Sequence, residues 1–365
     1  MATGWPMKTT YANGDVYSAS DVNDITGTIN LLGSSVALTA GKNIVLNGAT
    51  QIWQRGTSVT GSTSAFCADR FQAYRNTTGS TFSRQATGDT TNLPFIQYCI
   101  RAQRNNADTA TNAIWVSQTL ESVNSIPMAG KTVTFSFYAR RGANFSSASN
   151  ALTVVLASGT GTDQNIFSGF TGNTNIVNTT CTLTTTWQRF TFTGTVAATA
   201  TQLAFYTVYT PSGTAGAADY YEITGMQLEQ GSTATAFQTA TGTIQGELSA
   251  CTRYYWRLSA ADATVTNRFF AMGQANGTGQ ALITISNPVK MRGVPTASAG
   301  PNSNSFNLLN AGSAGIATTG FGTNALSADV QNMFFNVATG LTSGNATAVT
   351  ANANNTAFID FSAEL

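Results

Sequence analysis

The chain has 365 residues, enough for two or three domains that each bury a core. Charged residues make up 9% of it, against about a quarter in ordinary soluble domains, and the net charge is +1. That balance excludes an electrostatic nucleic-acid footprint, and no apolar run approaches membrane-spanning length, so neither a nucleic-acid partner nor membrane insertion is expected. A surface so poor in charge must be covered by Thr, Ser, Asn, Gln, Gly and Ala, as in assembled structural proteins.

Histidine is absent, which removes the commonest general base and the commonest transition-metal ligand. Cys67, Cys99, Cys181 and Cys251 stand far apart with no CxxC pair, so no metal site and no cofactor are expected. They read as buried free thiols. The opening "MATGWPMKTTYANGD" lacks a basic region followed by an apolar one, so synthesis in the cytoplasm without a secretory signal is expected.

In chain order, residues 1–45 read as an appendage. Ser18 can cap a helix with Asp21 three residues on, and Val22, Ile25, Ile29 and Leu32 follow at spacings of three and four. Two such heptads containing Gly27 cannot stand as a lone helix. The stripe must pack on copies of itself, on a docking partner, or on its own domain. From 46 to 240 the pattern is β, with strands in "AIWVSQTL", "KTVTFSFYAR", "ALTVVLAS", "WQRFTFTGTV", "QLAFYTVYT" and "YYEITGMQLE". Polar turn clusters between them predict an antiparallel β-sandwich. Residues 241–256 carry Ile244, Leu248, Cys251 and Tyr255 at helical spacing and predict a short connector. From 257 to 365, runs such as "RFFAMGQAN", "NMFFNVAT" and "NTAFIDFSAEL" predict a smaller C-terminal β domain. The fold class is all-β.

Alternation then assigns faces. Ile114, Val116 and Leu120 point inward and leave Trp115 opposite; Val133, Phe135 and Phe137 point inward and leave Tyr138 and Arg140. Phe190 and Phe192 leave Trp187 and Arg189, and Leu203 and Phe205 leave Tyr206. Large aromatics and arginines on hydroxyl-rich faces suit sugar rings, whose C–H faces stack while their hydroxyls exchange hydrogen bonds. Equally, the same residues could meet a neighbouring subunit or a covering loop. Asp69 with Arg70 reads as a brace more than as a catalytic pair. Glu222 and Glu229 lie an odd number of residues apart, which under strict alternation sends them to opposite faces and argues against a paired-carboxylate hydrolase. Asp163 and Asp219, in loops, are the only suggestion of a structural Ca²⁺, without a ligand constellation around them. "GTGTDQN" lacks the lysine of a phosphate-binding loop.

The ordered segments "IWQRGTS", "ADRF", "TGMQLEQGSTATAFQ" and "GELSACTRYYW", followed by "NPVKMRGVPTAS" and "NNTAFIDFSAEL", resemble a family of bacteriophage tail-fibre and virion structural proteins with a carbohydrate-binding-module-like jelly roll. Phe71 and Gln238 depart from that pattern, where the family often has Trp and an acid. The resemblance covers residue 46 to the end, and "GDVYSASDVND" resembles virion anchors. It implies a homotrimeric virion protein, not an enzyme, made in the host cytoplasm and carried on the particle. Its N-terminus would hold other tail or baseplate proteins while the central jelly roll attaches to host cell-surface polysaccharide. The alternatives are a purely structural head-decoration or fibre-base protein and, further off, a polysaccharide depolymerase. It also implies that Phe237 plugs the end of the sandwich.

Overall fold

The computed structural model describes residues 41–60, 64–261, 267–310 and 315–365. The stripe Val22, Ile25, Ile29 and Leu32 and the helical anchor predicted around it lie outside these residues.

The first part contains β1 (Ser58–Thr60), β2 (Ala65–Phe66), β3 (Gln72–Tyr74), β4 (Ser80–Ala86), β5 (Tyr98–Arg104) and β6 (Ile114–Thr119). After the short helix α1 (Ser122–Ser125) come β7 (Thr132–Arg141), β8 (Ala151–Gly159), β9 (Thr174–Thr182), β10 (Gln188–Thr195), β11 (Gln202–Tyr209) and β12 (Tyr220–Gln230). They form two six-stranded antiparallel sheets, ordered β1-β4-β5-β12-β7-β10 and β2-β3-β6-β11-β8-β9. The alternation of β7 buries Val133, Phe135, Phe137 and Ala139, and that of β8 buries Leu152, Val154 and Leu156. Across the interface Phe135 meets Phe205 with ring centroids 4.5 Å apart, and Phe71 meets Phe205 edge-on at 6.2 Å. A sandwich follows because each sheet has one apolar face to hide.

Residues 41–45 already run along this sandwich. The Asn43 side chain donates to the Met226 and Gln238 carbonyls and accepts from the Val45 and Leu228 amides. Met226 belongs to a bulge in β12: opposite β7, Thr224 pairs with Tyr138 and Gln227 with Ser136, one residue too many on β12. Gly225 adopts φ +62° there, with the Tyr138 and Ile96 side chains where a Cβ would sit.

Helix α2 (Ile244–Thr252) is the predicted connector, with the Thr243 hydroxyl accepting from the Gly246 amide as N-cap. Beyond it lie β13 (Tyr255–Ser259), β14 (Phe269–Ala275), β15 (Gln280–Ser286), β16 (Thr296–Gly300) and β17 (Phe306–Asn310). Then follow β18 (Ile316–Ala317), β19 (Gly320–Leu326), β20 (Val330–Asn336), β21 (Ala346–Ala351) and β22 (Phe358–Ser362). They pair as β13-β22-β16 and as β18-β17-β21-β14-β15-β20-β19. Their own core includes Trp256 stacked on Phe361 at 5.0 Å and Phe306 against Phe335 at 5.5 Å.

The two parts meet through ion pairs. Arg70, 3% exposed, lies 3.7 Å over the Tyr254 ring; it donates to the Glu364 carboxylate and, at 2.8 Å, to the Thr119 carbonyl. Arg55 lies 3.4 Å over the Tyr255 ring and also reaches Glu364. Arg253 and the Tyr254 hydroxyl both donate to Glu121 at 2.7 Å, and Arg292 pairs with Asp163 at 3.1 Å. Removing one partner of a buried pair leaves an uncompensated charge. Arg70→Ala is therefore expected to cost about 3–5 kcal/mol in urea denaturation; a loss under 1 kcal/mol would show that the junction does not depend on it.

Candidate binding face

The six residues singled out from the sequence do not share a surface. Tyr138, Arg140, Trp187 and Arg189 lie on the outer face of the first sheet, Trp115 and Tyr206 on the outer face of the second, with the core between them. Alternation gives a strand its two faces but not the sheet it joins.

On the first sheet the expected open surface is covered. Trp187 is 6% exposed, packed with Ala49, Leu93, Ile96 and Cys99, and its indole N–H donates to the Thr87 carbonyl at 3.0 Å. Phe237 packs on this same cluster, outside the sheet, instead of plugging the sandwich end. Arg140 sits 4.7 Å over Trp187 and donates to Glu222 at 2.5 Å, while Arg101 binds the other oxygen of Glu222 at 2.6 and 2.8 Å. Arg189 donates to Ser136 at 3.0 Å and to the Thr235 carbonyl, 5.6 Å over the Tyr138 ring. These groups hold the outer loops in place.

The acids are equally engaged. The β12 bulge adds one residue to the two-residue period, so Glu222, opposite Arg140, and Glu229, opposite Thr134, share a face after all. Those partners are six steps apart along β7, about 20 Å at strand rise, well beyond the spacing of a glycosidase pair. Glu229 accepts from Gln227, from the Thr235 amide and hydroxyl, and from Lys42. Burial pushes its carboxyl up, and these partners outweigh burial and bring it below the usual range. Asp219 is held by Arg104 and Ser146, and Asp163 by the Ser122 amide and Arg292, so neither suggested Ca²⁺ ligand is free. Among the described residues no cluster of three or more His, Cys, Asp or Glu could hold a metal. All four cysteines are free and buried, and burial pushes the Cys67 and Cys181 thiols up to about 12.

The second sheet differs. On its outer face Tyr74 lies opposite Trp115 in the register of β3 and β6, and Val208 lies opposite Trp115 on the other side. Tyr206 lies opposite Ser117 and Val155. Trp115 and Tyr206 are 4.9 Å apart and tilted by 49°, Phe167 stands edge-on to Trp115 at 6.0 Å, and Tyr74 stacks on Phe167 at 5.1 Å. All four rings are partly exposed. Phe167 is placed by a 3₁₀ turn, Ile166–Ser168, which Asn165 caps by accepting from the Phe167 amide at 2.8 Å. The Asn165 amide also donates to the Gln72 side chain on β3, tying the turn to the sheet.

Trp53, Trp187 and Trp256 each give their indole N–H to an oxygen, at 2.7, 3.0 and 3.2 Å. Among the described residues, Trp115 alone of the tryptophans has no partner for it, and the Tyr74 and Tyr206 hydroxyls have none either. Partial burial raises the Tyr206 phenol, so it remains a neutral donor. The patch thus offers contoured rings beside unspent donors, and none of its four side chains is charged.

Two of its members escaped the sequence reading. Tyr74 was accessible through the alternation of "FQAY", in which Phe71 and Ala73 are buried. Phe167 sits in a loop turn with no periodicity to betray it.

No family model and no curated protein matches the chain, so neither comparison shows the resemblance to phage virion proteins. Solved structures that are similar include TmCBM61 in complex with β-1,4-galactotriose, at 10% identity over 52% of this chain and 99% of that one, TM-score 0.32. The CBM22-1 xylan-binding domain from Paenibacillus barcinonensis Xyn10C matches at 12% identity over 54% of this chain and 99% of that one, TM-score 0.29. The enzymatically active domain of bacteriophage CBA120 tailspike protein 4 matches at 11% identity over 52% of this chain, TM-score 0.32, and the match spans 21% of its length. With scores this low, the sandwich assignment rests on the strand pairing described above.

The two tryptophans should separate cleanly. Trp187→Ala empties a packed site and is expected to cost about 3–5 kcal/mol in denaturant unfolding, whereas Trp115→Ala should cost about 1 kcal/mol or less. Asp69 supplies a pH signature. Burial raises its carboxyl from 3.8 to about 6, against the pull of Arg55 and the hydrogen bonds from Gln54. The folded state then binds its proton more tightly than the unfolded state. The stabilisation is full below pH 3.8 and is lost as pH rises through 6. A carboxyl NMR titration should find its midpoint near 6, and relative to Asp69→Asn the wild type should lose up to roughly 3 kcal/mol between those limits.

Proposed function

We propose that the outer face of the second sheet, centred on Trp115 and Tyr206 with Tyr74 and Phe167, binds neutral polysaccharide. What carries this reading is the combination of partly exposed rings and free donors, at Trp115 above all, on a face without charge. Pyranose C–H faces stack on such rings, and sugar hydroxyls accept from the indole N–H and exchange hydrogen bonds with the phenols. Arg140 and Arg189 have no part in it, being held by Glu222 and by the Thr235 loop. The role is binding without catalysis, a reading supported by the internal engagement of Asp69, Glu222 and Glu229.

The setting we propose is a bacteriophage virion, in which the chain attaches the particle to host surface glycan as part of a tail fibre. The quoted sequence segments support it, together with a surface poor in charge. Homotrimer formation and docking to other virion proteins belong to the same proposal, and several weak sites on one particle would add up through multivalency.

Titration of neutral and acidic polysaccharides, read by calorimetry or on a glycan array, tests the face. Trp115→Ala and Tyr206→Ala are each expected to weaken binding at least about tenfold, equivalent to about 1.4 kcal/mol. Raising salt from low to several hundred millimolar should change wild-type affinity by less than about twofold. Unchanged binding in both variants would remove this face from consideration. Loss of self-association in Trp115→Ala, with no glycan bound by the wild type, would assign the face to a subunit contact.

A further inference from the structure

A second surface is apolar where the first is mixed. Between α2 and the sheet of β14 and β15 runs a groove of about 890 Å³, lined by Leu248, Trp256, Phe269, Met272 and Val289. Phe269 is 53% exposed, Met272 58% and Leu248 44%; Ile244, one helical turn before Leu248, is 47% exposed. Three of these half-exposed side chains, Leu248, Phe269 and Met272, line one groove and leave in it an area that water does not favour. In the cores beneath, side chains of the same types are sealed.

We propose that this groove is the docking site of the apolar stripe Val22, Ile25, Ile29 and Leu32 of the same chain. The first described residue, Gly41, donates its amide to the Ala240 carbonyl at 2.7 Å, four residues before α2 begins. The chain therefore enters beside the helix that forms one wall of the groove. From Ala240 to Ile244 is at most about 14 Å of extended chain, and from Ile244 to Leu248 about 6 Å of helix. Eight residues lie between Leu32 and Gly41, and the nine steps from one to the other reach about 30 Å, so the stripe spans the distance with slack. Within one chain, entropy also favours this occupant, because a short tether sets a millimolar effective concentration that a second molecule must exceed. The pairing satisfies both surfaces at once, since a stripe too short to stand alone meets a wall with no cover. It is independent of the glycan reading. A chain docked in this way would meet sister chains or virion proteins through other surfaces.

A photo-crosslinking residue placed at Met272 in the full chain reads the occupant directly. The expected product migrates as a monomer on a denaturing gel and yields, by mass spectrometry, a crosslinked peptide from residues 18–32. A product of dimer or trimer mass through the same peptide would overturn the same-chain assignment in favour of a second copy. Crosslinks that omit residues 18–32 altogether would overturn the docking itself. Hydrogen exchange supplies the second measurement: Ile29→Asp should speed exchange across 18–32 and in α2 at least tenfold, leaving β7 and β11 unchanged. Exchange in α2 equal to that of the wild type would count against the proposal. The crosslink is read in a chain whose residues 18–32 are unaltered, so it decides the proposal on its own should Ile29→Asp fail to fold.

Discussion

The contact between Arg70 and Glu364 fastens the sandwich to the C-terminal sheets. Arg70 follows a short strand of the sandwich and Glu364 follows the last strand of the C-terminal sheets, so the pair closes the chain on itself across 294 positions. Around it, Gln54 donates to Asp69 and to the Tyr255 carbonyl, and Arg55 and Arg70 cover the Tyr255 and Tyr254 rings. Buried charge of this kind costs desolvation, which the carboxylate, carbonyl and ring partners offset here even though Arg70 Nε and Arg55 Nη1 find no partner. The segments that carried the likeness to virion proteins supply these residues: "IWQRGTS" and "ADRF" one side, "GELSACTRYYW" and "NNTAFIDFSAEL" the other.

The same economy explains the low charge. Arg75 and Arg104, both fully buried, bind Asp108, Asp219 and a set of loop carbonyls at one end of the sandwich, where they replace a hydrophobic plug with a polar clasp. Arg101 and Arg140 are spent on Glu222. Ion pairs here work as internal ties, and the outer surface is left to hydroxyls, amides and a few rings.

Much of the fold was legible because its strands obey a period of two. Phe135 and Phe137, Leu203 and Phe205, and Ile114 and Val116 all point where alternation sends them. The edge strand β9, "TNIVNTTCT", was not legible, because apart from Ile176, Val177 and Cys181 it is all Thr and Asn, and adjacent Ile176 and Val177 break the period of two. The relation between Glu222 and Glu229 was misread for a local reason: the bulge at Gly225 and Met226 resets the period, and nothing in "ITGMQ" beyond a glycine announces it. For Trp187 the sequence left a covering loop open as an alternative, and the cover is non-local. Trp187 does face away from the core, but Leu93, Ile96 and Phe237 arrive from distant positions to cover it. Half of the candidate face, Trp115 and Tyr206, came from alternation; Tyr74 was within its reach, and Phe167 needed the three-dimensional turn.

The cysteines complete the account. Four thiols lie inside the described structure, none joined to another, and burial holds them in the protonated form. Since no covalent bridge ties the strands, there is none to be broken by a reductant, and thiols withdrawn from water offer little for an oxidant to attack. The fold is consequently indifferent to redox potential and keeps one shape whether its surroundings are rich in glutathione or open to air.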